Sequence, residues 1–292
     1  MAQTVLRKGS KKSILLKVSG ILILFLLLLS AIGTYSLNAY INDKTVPVKN
    51  TLVASGESKN LLAIFAHPDD EIMAAGTLHK LADEGVNITL LYLTKGEAGP
   101  TGGIVSQDEL GAEREKETKK VAEILNVEHL EILDYPDGGL VEADQAAIKK
   151  SITDIIRQTK PSTVITFDDT VGLYGHADHL LTGKLVKEIL LEESYGVERF
   201  YQMTLPQPMI DTALKISKTF QERYPTDPKD GLPQPTVAIK MASEAREKIS
   251  VVKAHKTQWE VTGDVQPLHD KLPYWIYYRI FDREYFAEVE LD

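Results

Sequence analysis

LLAIFAHPDDE, from Leu61 to Glu71, is an apolar run that breaks off into a histidine, a proline and three acids. Six apolar residues without polar alternation describe a strand buried on both faces, as inside a parallel sheet. Such a strand has no use for His67, Asp69, Asp70 and Glu71 at its exit. Pro68 fixes a turn and suits the start of a helix. Asp69 and Asp70 are therefore expected at a helix N-terminus, where the dipole tolerates anions. A single N-cap carboxylate accounts for one acid, but not for His67 and two acids together.

Outward from this stretch, short apolar runs alternate with longer amphipathic ones. Ile88–Thr94, His129–Tyr135 and Ser162–Asp168 read as further strands. Ile72–Glu84, Glu109–Leu125, Ala143–Thr159 and Ala177–Leu191 read as helices, followed by strands at RFYQMTL and TVAIKM and a helix at Glu244–Ala254. The alternation predicts an α/β fold: a Rossmann-like, mostly parallel, doubly wound sheet with helices on both faces. YWIYYRIF and YFAEVEL near the end read as a closing hairpin or an edge pair.

The N-terminus has a different character. VSGILILFLLLLSAIGTYSL, Val18–Leu37, is long enough to span a hydrocarbon core of about 30 Å. Arg7, Lys8, Lys11, Lys12 and Lys17 precede it, whereas only Lys44 and Lys49 follow closely. The bias keeps the first residues in the cytoplasm and sends the rest across. The expected organisation is a basic cytoplasmic segment (1–17), a transmembrane signal anchor (18–37), a polar tether (38–58) and a catalytic domain (59–292). The protein would be single-pass in the cell membrane with its domain outside. Cleavage near the small residues Ala31 and Gly33, releasing a secreted chain, is the competing reading.

Composition narrows the chemistry. A net charge of -9 argues against a nucleic-acid partner, which would need basic patches. The absence of cysteine excludes a disulfide scaffold, a cysteine nucleophile, an iron–sulfur site and a thiolate zinc site. Any zinc must be held by histidine and carboxylate.

Ligands of such sheets bind beyond the carboxyl ends of the strands. Four loops would meet there: His67–Glu71, KGEAGPTGG, PDGG and DDTVGLYGHADH. In the last, His176 and His179 are three residues apart and share a face if helical. His, Asp and His with an open fourth position is the pattern of catalytic zinc. Asp137, in PDGG, reads as a turn residue. His255 and Gln258 either shape the pocket or end a helix. His79 and His129 have no catalytic part in this reading.

AHPDDE followed by GHADH resembles the PIG-L/LmbE-like family of zinc-dependent N-deacetylases. TKGEAG, EREKE, YPDGGL and AHKTQ are weaker matches, and together these pieces cover roughly Leu61 to Gln258. Ala177 stands where the family often has proline. The resemblance implies that His67, Asp70 and His179 hold Zn2+, and that Asp69 is the general base. It also implies that His176 stabilises the oxyanion, with Asp178 orienting it. Arg114 would hold sugar hydroxyls or a neighbouring polar group.

The expected function is a membrane-tethered hydrolase. It would remove the acetyl group from an N-acetylated amino sugar, the family's usual substrate being of glucosamine type. Three rival readings stand beside it: a zinc amidase on a non-sugar amide, a glycosyltransferase using Asp168 and Asp169, and a non-catalytic sugar-binding protein.

Overall fold

The computed structural model describes residues 9–53 and 58–291. Arg7 and Lys8 of the basic segment, and residues 54–57 of the expected tether, lie outside them.

The chain opens with α1 (Gly9–Ile41) and a short strand β1 (Val48–Lys49). The central βα units are β2 (Asn60–Phe65), α2 (Ala75–Asp83), β3 (Asn87–Thr94), α3 (Leu110–Ile124), β4 (His129–Tyr135), α4 (Gln145–Thr159) and β5 (Thr163–Thr166). A one-turn α5 (Gly172–Gly175), α6 (Ala177–Glu192) and β6 (Arg199–Thr204) follow. The last third holds α7 (Gln207–Ile216), α8 (Lys218–Arg223), β7 (Val237–Lys240), α9 (Ala245–Ala254), α10 (Trp259–Val265), α11 (Tyr274–Ile280) and β8 (Arg283–Val289).

The strands form one sheet in the order β1-β7-β8-β6-β5-β2-β3-β4. Every pairing is parallel except those of β8, which runs antiparallel to both β6 and β7. The chain winds outward from β2 to β3 and β4, then returns to the other side of β2 through β5 and β6. The switch point therefore lies between β2 and β5, and the loops leaving these two strands face one crevice. Leu61–Phe65 and Val164–Ile165 are buried on both faces, as the unbroken apolar runs require.

Three expectations change. YWIYYRIF is the helix α11, and β8 is neither a hairpin partner nor an edge strand but sits between β6 and β7. Aromatic and β-branched content suggested a strand, yet Tyr277, Tyr278 and Ile280 are buried at helical spacing. The helix expected over Ile72–Glu84 is a 3-10 turn, Asp70–Met73, followed by α2. The expected tether is bound to the domain. Asn38 and Asn42 side-chain amides donate to the carbonyls of Arg279 and Ile280, the orphan acceptors at the end of α11. Further on, β1 pairs with β7, and Leu52 and Val53 are buried.

Within α1, Leu15–Ile41 contains an 18-residue stretch with a mean hydropathy of 2.6, none of it buried. Its 27 residues are long and apolar enough to cross a membrane.

Candidate metal centre and active site

β2 ends at Phe65, and the next residues turn across its carboxyl end. Asp69 has φ 97°, a left-handed conformation that is costly for a residue with a side chain. It is held from three sides. Its N–H donates to Glu71 Oε2 at 3.0 Å. Its carboxylate lies 3.2 Å from the Arg114 guanidinium. Arg114 also donates to the carbonyl of Pro68, the residue before it. The turn places Asp69 and Asp70 on opposite errands: Asp69 faces Arg114, and Asp70 faces the histidines.

His67 Nδ1 lies 3.2 Å from His179 Nε2. Asp70 completes the triangle, with Oδ1 3.1 Å from His179 Nε2 and Oδ2 3.6 Å from His67 Nδ1. Donor atoms around a tetrahedral zinc, at 2.0–2.1 Å from the metal, stand about 3.3–3.4 Å apart. The two histidine nitrogens and the carboxylate of Asp70, which meets each ring through a different oxygen, lie close to that spacing. His179 is held flat against Phe167, with ring centroids 3.9 Å apart and planes 8° from parallel.

The other nitrogen of His67 decides its tautomer. Nε2 is 3.0 Å from Asp137 Oδ1 and 3.2 Å from Asp178 Oδ2. Both carboxylates are already braced by backbone N–H groups, of Ala98 for Asp137 and of Gly138 and Leu140 for Asp178. Nε2 therefore carries the proton, and the Nδ1 lone pair points at His179 and Asp70. Burial lowers the His67 pKa, but Asp137, Asp178 and Asp70 together raise it well above the ordinary histidine range. Burial likewise raises Asp70, yet His179 and His67 hold it far below the usual carboxylate range. The pocket is built to hold positive charge at Nδ1, and a divalent cation fits the donor set.

Two of the expected site residues, Asp178 and Arg114, are held by contacts within the protein. Asp178 reaches His176 only through its backbone N–H, which donates to His176 Nδ1 at 3.3 Å, while its carboxylate serves His67. Arg114 is buried and donates to the carbonyls of Gly96 and Pro68. It also lies 3.2 Å from the Asp69 carboxylate, the neighbouring polar group that was the second of its two expected roles.

His176 caps α6, and its ring stacks 4.6 Å from that of His179. Burial, together with the charges of His179 and His67, pushes its pKa down to about 3. It is neutral, and since Nδ1 accepts a hydrogen bond, Nε2 carries the N–H. Burial pushes Asp69 up to about 6 against the pull of Arg114.

Sequence reasoning missed Asp137, whose PDGG context looked like a turn, and the buried support of Asp69. Glu71 accepts from Tyr92 Oη at 2.8 Å and pairs with His255 Nε2 at 2.6 Å. Gln258 donates to the Pro100 carbonyl and closes the KGEAGPTGG loop. Asp168 accepts from the N–H groups of residues 170–173, and Asp169 pairs with Lys187. These two acids shape a loop, which removes the basis of a glycosyltransferase.

Residues 62–190 match the family described as PIG-L, GlcNAc-PI de-N-acetylase. A diacetylchitobiose deacetylase of Thermococcus kodakarensis is 39% identical over 128 residues, 44% of this chain and 47% of that protein. The chain thus spans about half the length of this relative. A 1D-myo-inositol 2-acetamido-2-deoxy-alpha-D-glucopyranoside deacetylase of Acidothermus cellulolyticus is 29% identical over 70% of this chain and 81% of its own length. The structure of N,N'-diacetylchitobiose deacetylase from Pyrococcus horikoshii superposes with a TM-score of 0.56 at 25% identity, covering 80% of this chain and 84% of that one. Fold and site together define a doubly wound α/β protein with a His–Asp–His cluster at its switch point. Residues 62–190 carry a PIG-L family domain, and the relatives that share it are named as N-deacetylases.

Proposed function

We propose that this protein is a zinc-dependent N-deacetylase of an N-acetylglucosamine-type glycan, glycolipid or glycoconjugate, held at the membrane by α1 with its domain on the outer face. The observation that carries the chemistry is the triangle of His67 Nδ1, His179 Nε2 and Asp70, with Asp69 next in the chain but turned away from it.

His67, Asp70 and His179 would hold the metal. Bound there, it supplies Lewis acidity and an acidified water. Asp69 takes the proton of the attacking water, and a carboxylate with a pKa of about 6 is suited to that task near neutrality. Arg114 and Glu71 hold Asp69 in its strained conformation. His176 donates its Nε2–H where negative charge develops on the amide oxygen. The proton collected by Asp69 is then delivered to the departing amine. Asp137 and Asp178 keep His67 in the tautomer that leaves Nδ1 free.

The anchor rests on the length and hydropathy of Leu15–Ile41 and on the cations before it. The chemical reading is tested with full-length protein of defined metal content. N-acetylated sugars and envelope fragments are screened for newly released amines. Activity lost on chelation and restored by zinc supports it, whereas a metal-loaded protein that releases no amine from any N-acetylglucosaminide overturns it.

A further inference from the structure

One cavity, of about 180 Å³, joins the metal centre to the foot of α1. Its wall includes Asp69, Asp70 and His179 of the centre, and also Ile41, the last residue of α1. Most of the rest is apolar: Ile72, Met73, Met209, Ala213, Ile216 and Phe281. Ile216 is 53% exposed and marks an opening on the α7 side.

The charges in the wall argue against an ionic occupant. Its cations are Lys248 and Arg283. Lys248 is paired with Glu284 and Arg283 with Asp282. Away from the metal centre, the unpartnered polar atoms of the wall among the described residues, Tyr278 Oη and Gln266 Oε1, are neutral. The cavity can place a neutral linkage, but it offers no unpaired cation to a phosphate.

Its position supplies the occupant. The apolar run of α1 ends at Leu37, and Asn38 is already bonded to the end of α11. Leu37 and Asn38 are adjacent, so the end of α11 meets α1 where its apolar run stops. α11 turns Tyr274 and Trp275 outward, 38% and 48% exposed, the residue types that settle at membrane–water boundaries. α7, which packs against α1, exposes Leu214 and Ile216.

We propose that this cavity seats an alkyl or acyl chain attached to the N-acetylated sugar itself. The chain enters from the membrane that holds α1, while the sugar amide reaches the metal centre. This rests on the deacetylase reading above. Ala213 and Ile216 are then specificity-determining residues for the chain.

The test uses the full-length, zinc-loaded protein in nanodiscs and a series of N-acetylglucosaminides with methyl, butyl, octyl and dodecyl aglycones. Amine release gives kcat/KM, and calorimetry gives affinity independently of turnover. In the wild type, both should rise by up to about fourfold per methylene until the cavity is full. Partition into the bilayer also favours long chains, so the decisive readout is the dodecyl-to-methyl ratio in variants. Ala213→Trp fills the cavity, and Ile216→Glu places a charge at its exposed mouth, where misfolding is not expected. Both should collapse the ratio toward the value set by partition alone, read from binding of the same glycosides to empty nanodiscs. A ratio equal to wild type in Ile216→Glu and Ala213→Trp overturns the proposal, as does a wild-type ratio no larger than partition. If no glycoside is hydrolysed, the deacetylase reading falls, and the calorimetric series still decides the cavity.

Discussion

At the scale of single residues, the adjacent acids are told apart by what each touches. Asp70 lies within 3.1 Å of His179 Nε2, whereas Asp69 faces Arg114 at 3.2 Å. Asp69→Asn should keep its zinc and lose about 10²–10⁴ in turnover, the usual scale for a general base. Asp70→Asn should weaken zinc itself, with activity partly restored by excess metal. Zinc stoichiometry and turnover across a metal titration separate the two, and identical behaviour would refute the division. Asp137 carries a second prediction. Its carboxylate fixes the His67 proton on Nε2, so Asp137→Ala should lower zinc affinity by about 10- to 100-fold. Equilibrium competition with a chromogenic chelator measures this. An unchanged affinity would mean that Asp178 alone holds the ring.

Among the elements, α2 shows how far apart in sequence a helix can find its cap. Ala74 offers no side-chain acceptor at its start. Glu284, on β8, supplies both oxygens instead, accepting from the N–H of Gly76 at 3.0 Å and of Thr77 at 2.7 Å. Lys248 of α9 neutralises the same carboxylate. Glu284→Gln leaves Lys248 buried without a counter-charge, and should cost about 3–5 kcal/mol. Lys248→Met should cost less, because Glu284 keeps its two N–H donors and the helix dipole. Urea unfolding of the solubilised protein ranks the pair, and the reverse order would contradict this account. The turn that carries Asp69 depends on a neighbouring loop in the same way. A β-carbon at Gly96 would land on the Arg114 guanidinium, and the residue has φ +68°. Gly96→Ala should therefore lower turnover through Arg114 while leaving zinc content intact.

At the scale of the whole molecule, α1 and the domain are joined rather than loosely linked. Asn38 and Asn42 cap α11, and Tyr285 Oη donates to Asn42 Oδ1. An anchored protein built this way should present its domain close to the outer membrane surface. Protease added to intact protoplasts should remove the domain while leaving cytoplasmic markers whole. Full protection of the domain would place it on the inner side and reverse the topology. A mature chain that begins near Thr34 would instead establish cleavage, and it would still retain Asn38 and Asn42.

Much of this protein is written in local patterns. The apolar runs, the helical periodicity between them and the membrane-length segment follow from side chains a few residues apart, and they were readable as an α/β sheet behind an apolar helix. The clustering of His67, Asp70, His176 and His179 was also legible, because strand order in a doubly wound sheet brings the β2 and β5 exits to one crevice. Pairings across that crevice were not. Asp178 braces His67 rather than His176, Asp137 joins it from β4, and His255 meets Glu71 across 184 residues. The helix at Tyr274–Ile280 and the slot of β8 between β6 and β7 belong to the same category. Periodicity reports which face of an element is buried, but not which element covers it. That choice is made by packing and by the need of each buried carboxylate for a donor, and both exist only once the chain has folded.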